Sequence, residues 1–247
     1  VSNADAAWTY DRLLDQRPKR RWTPRALERM RYSMGIFLWH FGTTKRFDDV
    51  GHHTVVLGPR YEELLRDIFD RKKLAEDFSL YLYRPTATDP SLAPPGGDSF
   101  YVLAPVPHLG SGTNWAAMAE PYRRRIQARL EETVLPGLGE VVATSKVVTP
   151  QDFRDDFLAT HGCAFGPEPT LFQSAWFRPH NVSEEVEGLY LVGAGTHPGA
   201  GIPGVLLSAK ILDEVAPSAE ELRARGRAGE RNGHVQSAAS EGEPLRV

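Results

Sequence analysis

One stretch of this chain constrains its fold more than any other: Gly188-Leu189-Tyr190-Leu191-Val192-Gly193-Ala194-Gly195-Thr196-His197-Pro198-Gly199-Ala200-Gly201-Ile202-Pro203-Gly204-Val205-Leu206-Leu207-Ser208-Ala209-Lys210. Residues 189–192 form a short uncharged apolar run, the pattern of a strand covered on both faces. Glycines come next at 193, 195, 199, 201 and 204, so the backbone there has no side chains in front of it. Pro203 suits the first turn of a helix, where its missing N–H costs nothing. The small residues Ser208 and Ala209 let that helix lie close to whatever it covers. The spacing predicts strand, glycine loop and helix start, and the bare helix N-terminus attracts an anion or an electron-rich ring.

Residues 199–204 also spell G-x-G-x-x-G. The dinucleotide fingerprint needs its first glycine directly after the strand, and an acidic residue ending a second strand about 20 residues on. Here the predicted strand stops near Val192, and the chain continues into one helix (Ile211, Leu212, Val215) and a polar tail, with no second strand. The motif is therefore read as coincidental rather than as the first turn of a Rossmann fold. A purely structural glycine loop remains the alternative to a ligand site.

At 247 residues the chain has length for one large domain or two small ones. Its net charge of −3 argues against nucleic acid as a general partner. A single cysteine, Cys163, excludes an internal disulfide and fits a reducing, cytoplasmic compartment; between Gly162 and Ala164 it reads as a packed core residue rather than a nucleophile. No apolar run approaches the length of a membrane span. The chain opens on Val1-Ser2-Asn3-Ala4-Asp5, without a leader or an initiating Met, which reads as the middle of something longer.

Taken in order, Asp5 is placed to cap a helix reaching Leu14, and Thr23-Pro24 to start another. The basic run Arg17-Pro18-Lys19-Arg20-Arg21 reads as a solvated linker. Residues 36–41, 54–57, 78–83 and 100–104 are rich in aromatic and β-branched residues and are predicted strands. One helical segment interrupts them at 61–69, so the sheet is expected to be mixed or antiparallel. Its aromatic residues read as core, with a pocket lining as the alternative. A long helix is predicted over 114–135, its apolar side Trp115, Met118, Ile126, Leu130 and Val134, with Pro121 marking a first turn. A strand over 141–148, a helix from Thr149-Pro150 to Leu158 and an irregular segment over 165–181 lead into the glycine stretch. Beyond Val215 a short charged helix and a disordered tail are expected.

The eight histidines show no metal-ligand spacing, and neither a G-x-S-x-G elbow nor a phosphate loop is present. The carboxylate pairs Asp48-Asp49, Asp155-Asp156 and Glu184-Glu185 read as solvated faces. No metal site and no nucleophile–base constellation is assigned, and the catalytic residues are left open.

The glycine stretch resembles the C-terminal signature of bacterial-type phytoene desaturases, FAD-dependent carotenoid dehydrogenases. The resemblance continues upstream through Gln173-Ser174-Ala175-Trp176-Phe177-Arg178-Pro179-His180-Asn181 and Tyr101-Val102-Leu103-Ala104-Pro105-Val106-Pro107-His108-Leu109-Gly110, and more loosely through Ser91-Leu92-Ala93-Pro94 and His53-Thr54-Val55-Val56-Leu57-Gly58-Pro59-Arg60-Tyr61. It covers residues 1–214. It implies an α/β (α+β-like) fold, in which a mixed or antiparallel substrate-domain sheet with helices is succeeded by the strand, glycine loop and helix of a Rossmann-like FAD domain whose N-terminal half is missing. The implied divisions are residues 1–10 as the exit from the FAD domain, 11–182 as the substrate domain, 183–215 as the return to the FAD domain, and 216–247 as charged helix and tail. The implied cofactor is FAD. Gly193, Ala194 and Gly195 would lie along its ribityl and phosphate groups, Ile202, Pro203, Gly204 and Val205 would face the flavin ring, and Thr196 and Gly201 belong to the same cofactor-binding set. Thr196 is a departure, standing where relatives often carry an acid. The implied partners are a lipophilic polyene such as phytoene, a membrane surface contacted peripherally, and the missing FAD-binding half. The implied activity is hydride removal from a polyene to create conjugated double bonds. The alternatives are a non-catalytic fragment or half-subunit needing a partner, and a related carotenoid isomerase or ketolase-like flavoenzyme.

Overall fold

Strict alternation of buried and half-buried positions along Asp98–Val106 marks a strand with one covered and one open face. In the computed structural model, which describes residues 1–14, 20–218 and 220–223, this strand sits at the centre of a five-stranded antiparallel sheet. The strands are β1 (Gly35–Thr43), β2 (His53–Val56), β3 (Leu80–Tyr83), β4 (Asp98–Val106) and β5 (Val142–Val148), in the order β2-β3-β4-β1-β5. Among the described residues the helices are α1 (Ala6–Trp8, continued by a π-helical turn over Thr9–Leu13), α2 (Pro24–Arg29), α3 (Tyr61–Phe69), α4 (Trp115–Thr133), α5 (Leu138–Val141), α6 (Pro150–Phe157) and α7 (Ile202–Val215), and residues 220–223 are also helical. The expected tail falls mostly outside the described residues, as do residues 17–19 of the basic run.

The caps explain most helix starts. Asp5 accepts the Trp8 amide at 2.9 Å, Thr23 accepts that of Ala26 at 3.1 Å, and Asn114 accepts that of Ala117 at 3.3 Å. Thr149 and Asp152 form a capping box at α6. Pro121 does not open a helix: it lies inside α4, which begins at Trp115. The Asn114 cap and the burial of Trp115 hold the turn before it.

The larger core lies between one sheet face and α4. Phe37, Trp39, Phe41, Phe100, Val102 and Ala104 pack against Trp115, Tyr122, Ile126 and Leu130. Arg123 of α4 lays its guanidinium 5.0 Å over the Trp39 ring. A second apolar cluster joins Tyr10, Trp22, Leu27 and Tyr32 to Cys163 and Leu191, drawing the beginning of the chain against the glycine stretch.

One carboxylate pair expected on a solvated face is engaged instead. Glu185 accepts the backbone amides of Arg20, Arg21 and Trp22, and Glu184 pairs with the Arg21 guanidinium at 2.8 Å. This acidic pair is a clasp on the N-terminal segment rather than a free face. Asp48 and Asp49 are exposed as expected, although Asp48 also meets Arg46 and Arg84.

Candidate functional site

The predicted strand over 189–192 is shorter than expected. Leu191 bridges Ser2 in parallel and Tyr190 bridges Val182 antiparallel, with Ser2 N–H donating to Tyr190 O at 2.8 Å and Val192 N–H to Ser2 O at 3.0 Å. Only two residues hold ladder geometry because each neighbouring segment meets the strand at a single bridge. The parallel bridge nevertheless sets residues 1–3 beside the glycine loop.

The loop is held from inside by a polar knot. Ser208 on α7, fully buried, accepts the Gly193 amide at 3.0 Å and lies 3.1 Å from the Asn181 amide nitrogen, which also reaches Leu191 O. Thr196, 1% exposed, donates its hydroxyl to Gly193 O at 2.9 Å. The small residue at 208 does bring the helix close, as its size predicts. Of the expected site residues, Gly193 and Thr196 form this inner layer, their polar groups committed to the loop. Ala194 and Gly195 are half-buried, a Cβ on Gly195 already meeting Ala6 N at 3.2 Å, while Gly201, Ile202, Pro203 and Val205 form an exposed outer layer.

Glycine is required at particular points. Gly193 has φ +109° and Gly201 φ +94°, in the left-handed region. A Cβ on Gly204 would lie 2.5 Å from Gly199 O, backbone against backbone, so the α7 start packs directly on the loop.

Arg178 was not singled out by the sequence, although it stands inside the quoted Trp176-Phe177-Arg178-Pro179 run. It is 2% exposed, donates to Ala194 O and to Pro167 O, each at 2.7 Å, and runs beneath Gly199. Its partners are carbonyls, and no carboxylate pairs with it among the described residues; desolvation depresses its pKa. The loop thus carries a buried positive charge with no counter-charge. Nearby, His197 Nδ1 is buried without a hydrogen-bond partner, and the Gly201 cap position offers α7 no side-chain acceptor. Bare amides, a helix N-terminus and an uncompensated guanidinium together suit a bound anion.

The loop opens on a cavity of about 440 Å³, bounded by Ala194 and Gly195 at one side, by Leu38, His40, Lys146 and Val148 on the sheet, and by Phe153 and Phe157 of α6. The sheet contributes the face opposite α4. Its register sets one cross-strand row of Val55, Tyr81, Leu103, Leu38 and Val148, and a second of His53, Tyr83, Tyr101, His40 and Lys146. The rings in the second row lie close, Tyr83 to Tyr101 at 4.9 Å and Tyr101 to His40 at 5.5 Å. The core reading holds for the sheet aromatics packed on α4, while Tyr81, Tyr83 and Tyr101 lie on the other face outside the cavity lining. Desolvation first, and Lys146 second, lower the pKa of His40. Cys163 is buried, with its thiol donating to Gly166 O at 3.6 Å and its pKa pushed up to about 12 by burial, which is the packed role its neighbours predicted. Among the described residues no group of three or more His, Cys, Asp or Glu could hold a metal.

No protein-family model matches this chain. It is similar to the neurosporene-forming phytoene desaturase of Rhodobacter capsulatus, with 54% identity over 224 residues, covering 89% of this chain and 43% of that protein. It is similar to the neurosporene-forming phytoene desaturase of Cereibacter sphaeroides, with 53% identity, covering 94% of this chain and 45% of that protein. It is also similar to a lycopene-forming phytoene desaturase of a Paracoccus species, with 50% identity, covering 87% of this chain and 43% of that protein. The chain spans less than half the length of these relatives.

Proposed function

We propose that this chain, homologous to phytoene desaturases over 89% of its length, closes the cofactor cradle and supplies the substrate sheet of an FAD-dependent carotenoid desaturase. The observation that carries the reading is that Ala194 and Gly195 of the glycine loop open on a cavity floored by Leu38, His40, Lys146 and Val148 of the sheet and walled by Phe153 and Phe157. The residues present fit a flavin dinucleotide. Ala194 and Gly195 border the cavity where ribityl and phosphate groups would lie, Arg178 places a buried cation beneath them through Ala194 O, and the uncapped first turn of α7 would offer its dipole to an electron-rich ring edge. Bound FAD would supply the hydride-accepting chemistry. This chain's own residues bind, orient and keep water out: Thr196 and Ser208 fix the loop, while the open sheet face aligns a long hydrocarbon.

The implied division, with residues 183–215 returning to a cofactor domain, is supported by the parallel bridge between Ser2 and Leu191. A hydrocarbon substrate dissolves in lipid rather than water, so the reading carries peripheral contact with a membrane with it; no helix among the described residues is long and apolar enough to cross one. The test is to purify the complete gene product, add FAD and phytoene-loaded liposomes, and record absorbance. New conjugated double bonds are expected, and their absence in a flavin-loaded protein overturns the reading.

A second reading, a half-protein that completes its site with a partner, is favoured by one observation. Helix α7 exposes Ile202 (79%), Leu206 (66%) and Leu207 (47%), an apolar face of the kind that marks an interface. Stoichiometric flavin on the isolated 247-residue chain would argue against both a fragment and a half-subunit.

A further inference from the structure

The cavity beside the glycine loop does not end at the middle of the sheet. A second hollow of about 330 Å³ begins at the same two side chains, His40 and Lys146, and runs on to the Leu92-Ala93-Pro94 turn. The floor beneath both is one continuous strip of the β1–β5 pair. Leu38 faces Val148, His40 faces Lys146, and Gly42 faces Thr144. From Leu38 to Gly42 this strip is about 13 Å long at ~3.3 Å per strand residue, and the cavity beside Ala194 and Gly195 extends it further. The two hollows adjoin at His40 and Lys146, and a groove through both would be apolar near the glycine loop, crossed by these two side chains, and low-floored at Gly42.

Neither His40 nor Lys146 has a hydrogen-bond or ion-pair partner among the described residues, and both lie at the open surface. A long flexible lysine keeps its head in water while its stem lies along an apolar chain, so the narrowing does not close the groove. Past it, the floor is low because residue 42 has no side chain. A Cβ there would already stand 2.9 Å from Thr144 Oγ1, and a larger side chain would project up into the hollow.

We infer that Gly42 sets how far a linear polyene extends along this groove, making it a specificity-determining residue for substrate length. The inference rests on the desaturase reading for the identity of the occupant, since a long linear hydrocarbon is what a narrow, extended groove joined to that cavity accommodates. The shared His40–Lys146 boundary supplies the continuity between the two hollows.

The experiment uses the complete gene product with Gly42→Phe and, independently, Thr144→Phe, which fills the same place from the neighbouring strand without altering a glycine. In the flavin-loaded protein kcat/KM is compared for phytoene and for an analogue shortened at one end. Both variants are expected to lose about tenfold or more on phytoene, through lost burial of the distal chain, while staying within about twofold of the parent on the shortened analogue. Equal losses on both substrates, or no loss on either, overturn the inference. A parallel arm measures binding of methyl parinarate, a linear conjugated tetraene, by its fluorescence. If the parent protein binds this probe and both variants weaken it, the groove stands even where phytoene is not desaturated, and only the desaturase reading fails. Unchanged probe binding in both variants overturns the groove.

Discussion

At residue scale the site depends on Arg178. Its fork joins two loops through Ala194 O and Pro167 O, and planar double donation of this kind is not reproduced by lysine. Arg178→Leu leaves two buried carbonyls unpaired and removes the one charge beneath the loop, so flavin affinity of the complete gene product should fall about tenfold or more by titration calorimetry. Arg178→Lys should recover only part of it; parent-like affinity in both variants would show that the guanidinium has no part in the site. His108 provides a pH signature. It is buried, its Nδ1 accepts the Gly110 amide at 3.0 Å, and desolvation, then Lys72 and stacked His161, lower its pKa from 6.5 to about 4. Between those two values the unfolded chain takes up a proton that the folded chain refuses. Stability is therefore full above pH 6.5 and falls as pH drops toward 4, by up to about 3 kcal/mol. His108→Asn keeps an acceptor for Gly110 but does not titrate, so urea melts should show a shallower loss over that window; an unchanged slope would assign it to other groups.

At the scale of elements, the far end of the sheet is pinned by a buried ion pair. Asp98 at the start of β4 accepts Arg84 Nε at 2.9 Å, Thr86 Oγ1 at 2.7 Å and the Phe47 amide at 2.7 Å, while Arg84 also reaches Val50 O and Asp48. Every polar atom of the carboxylate is used, so the β1–β2 connection and the turn after β3 are tied to one point. Asp98→Ala leaves Arg84 Nε, Thr86 Oγ1 and the Phe47 amide without their acceptor and should cost about 3–5 kcal/mol in chemical denaturation; a loss below about 1 kcal/mol would mean water replaces the carboxylate. The elements themselves were largely legible. Tyr61–Phe69 appears as a helix with the predicted bounds, and the five strands lie where aromatic and β-branched residues cluster. What local pattern did not convey was reach: β4 extends to Asp98 and Val106 because β1 pairs along its whole length, and the predicted strand over 189–192 shrinks because little lies beside it.

At the scale of the whole molecule, α7 is the telling element. Its small residue Ser208 is buried while its large apolar residues Ile202 and Leu206 face outward, the reverse of a helix that completes its own core. If the complete gene product covers this face, backbone amides over residues 202–212 should exchange markedly more slowly there than in the 247-residue chain. Equal exchange in the two would remove the support that α7 lends to a split cradle. The sequence by itself determined the helix caps, the strand set, the bare glycine loop and, through the dense run over 188–208, the kinship with phytoene desaturases, because these depend on residue type and spacing alone. Tertiary structure decided the rest. Arg178 is an ordinary arginine in the sequence, and only burial under Gly199, away from any carboxylate among the described residues, makes its charge part of the site. The Glu184–Glu185 clasp, the cross-strand rows of the open sheet face and the low floor at Gly42 likewise arise between segments far apart in the chain, where neither periodicity nor a local motif carries a signal.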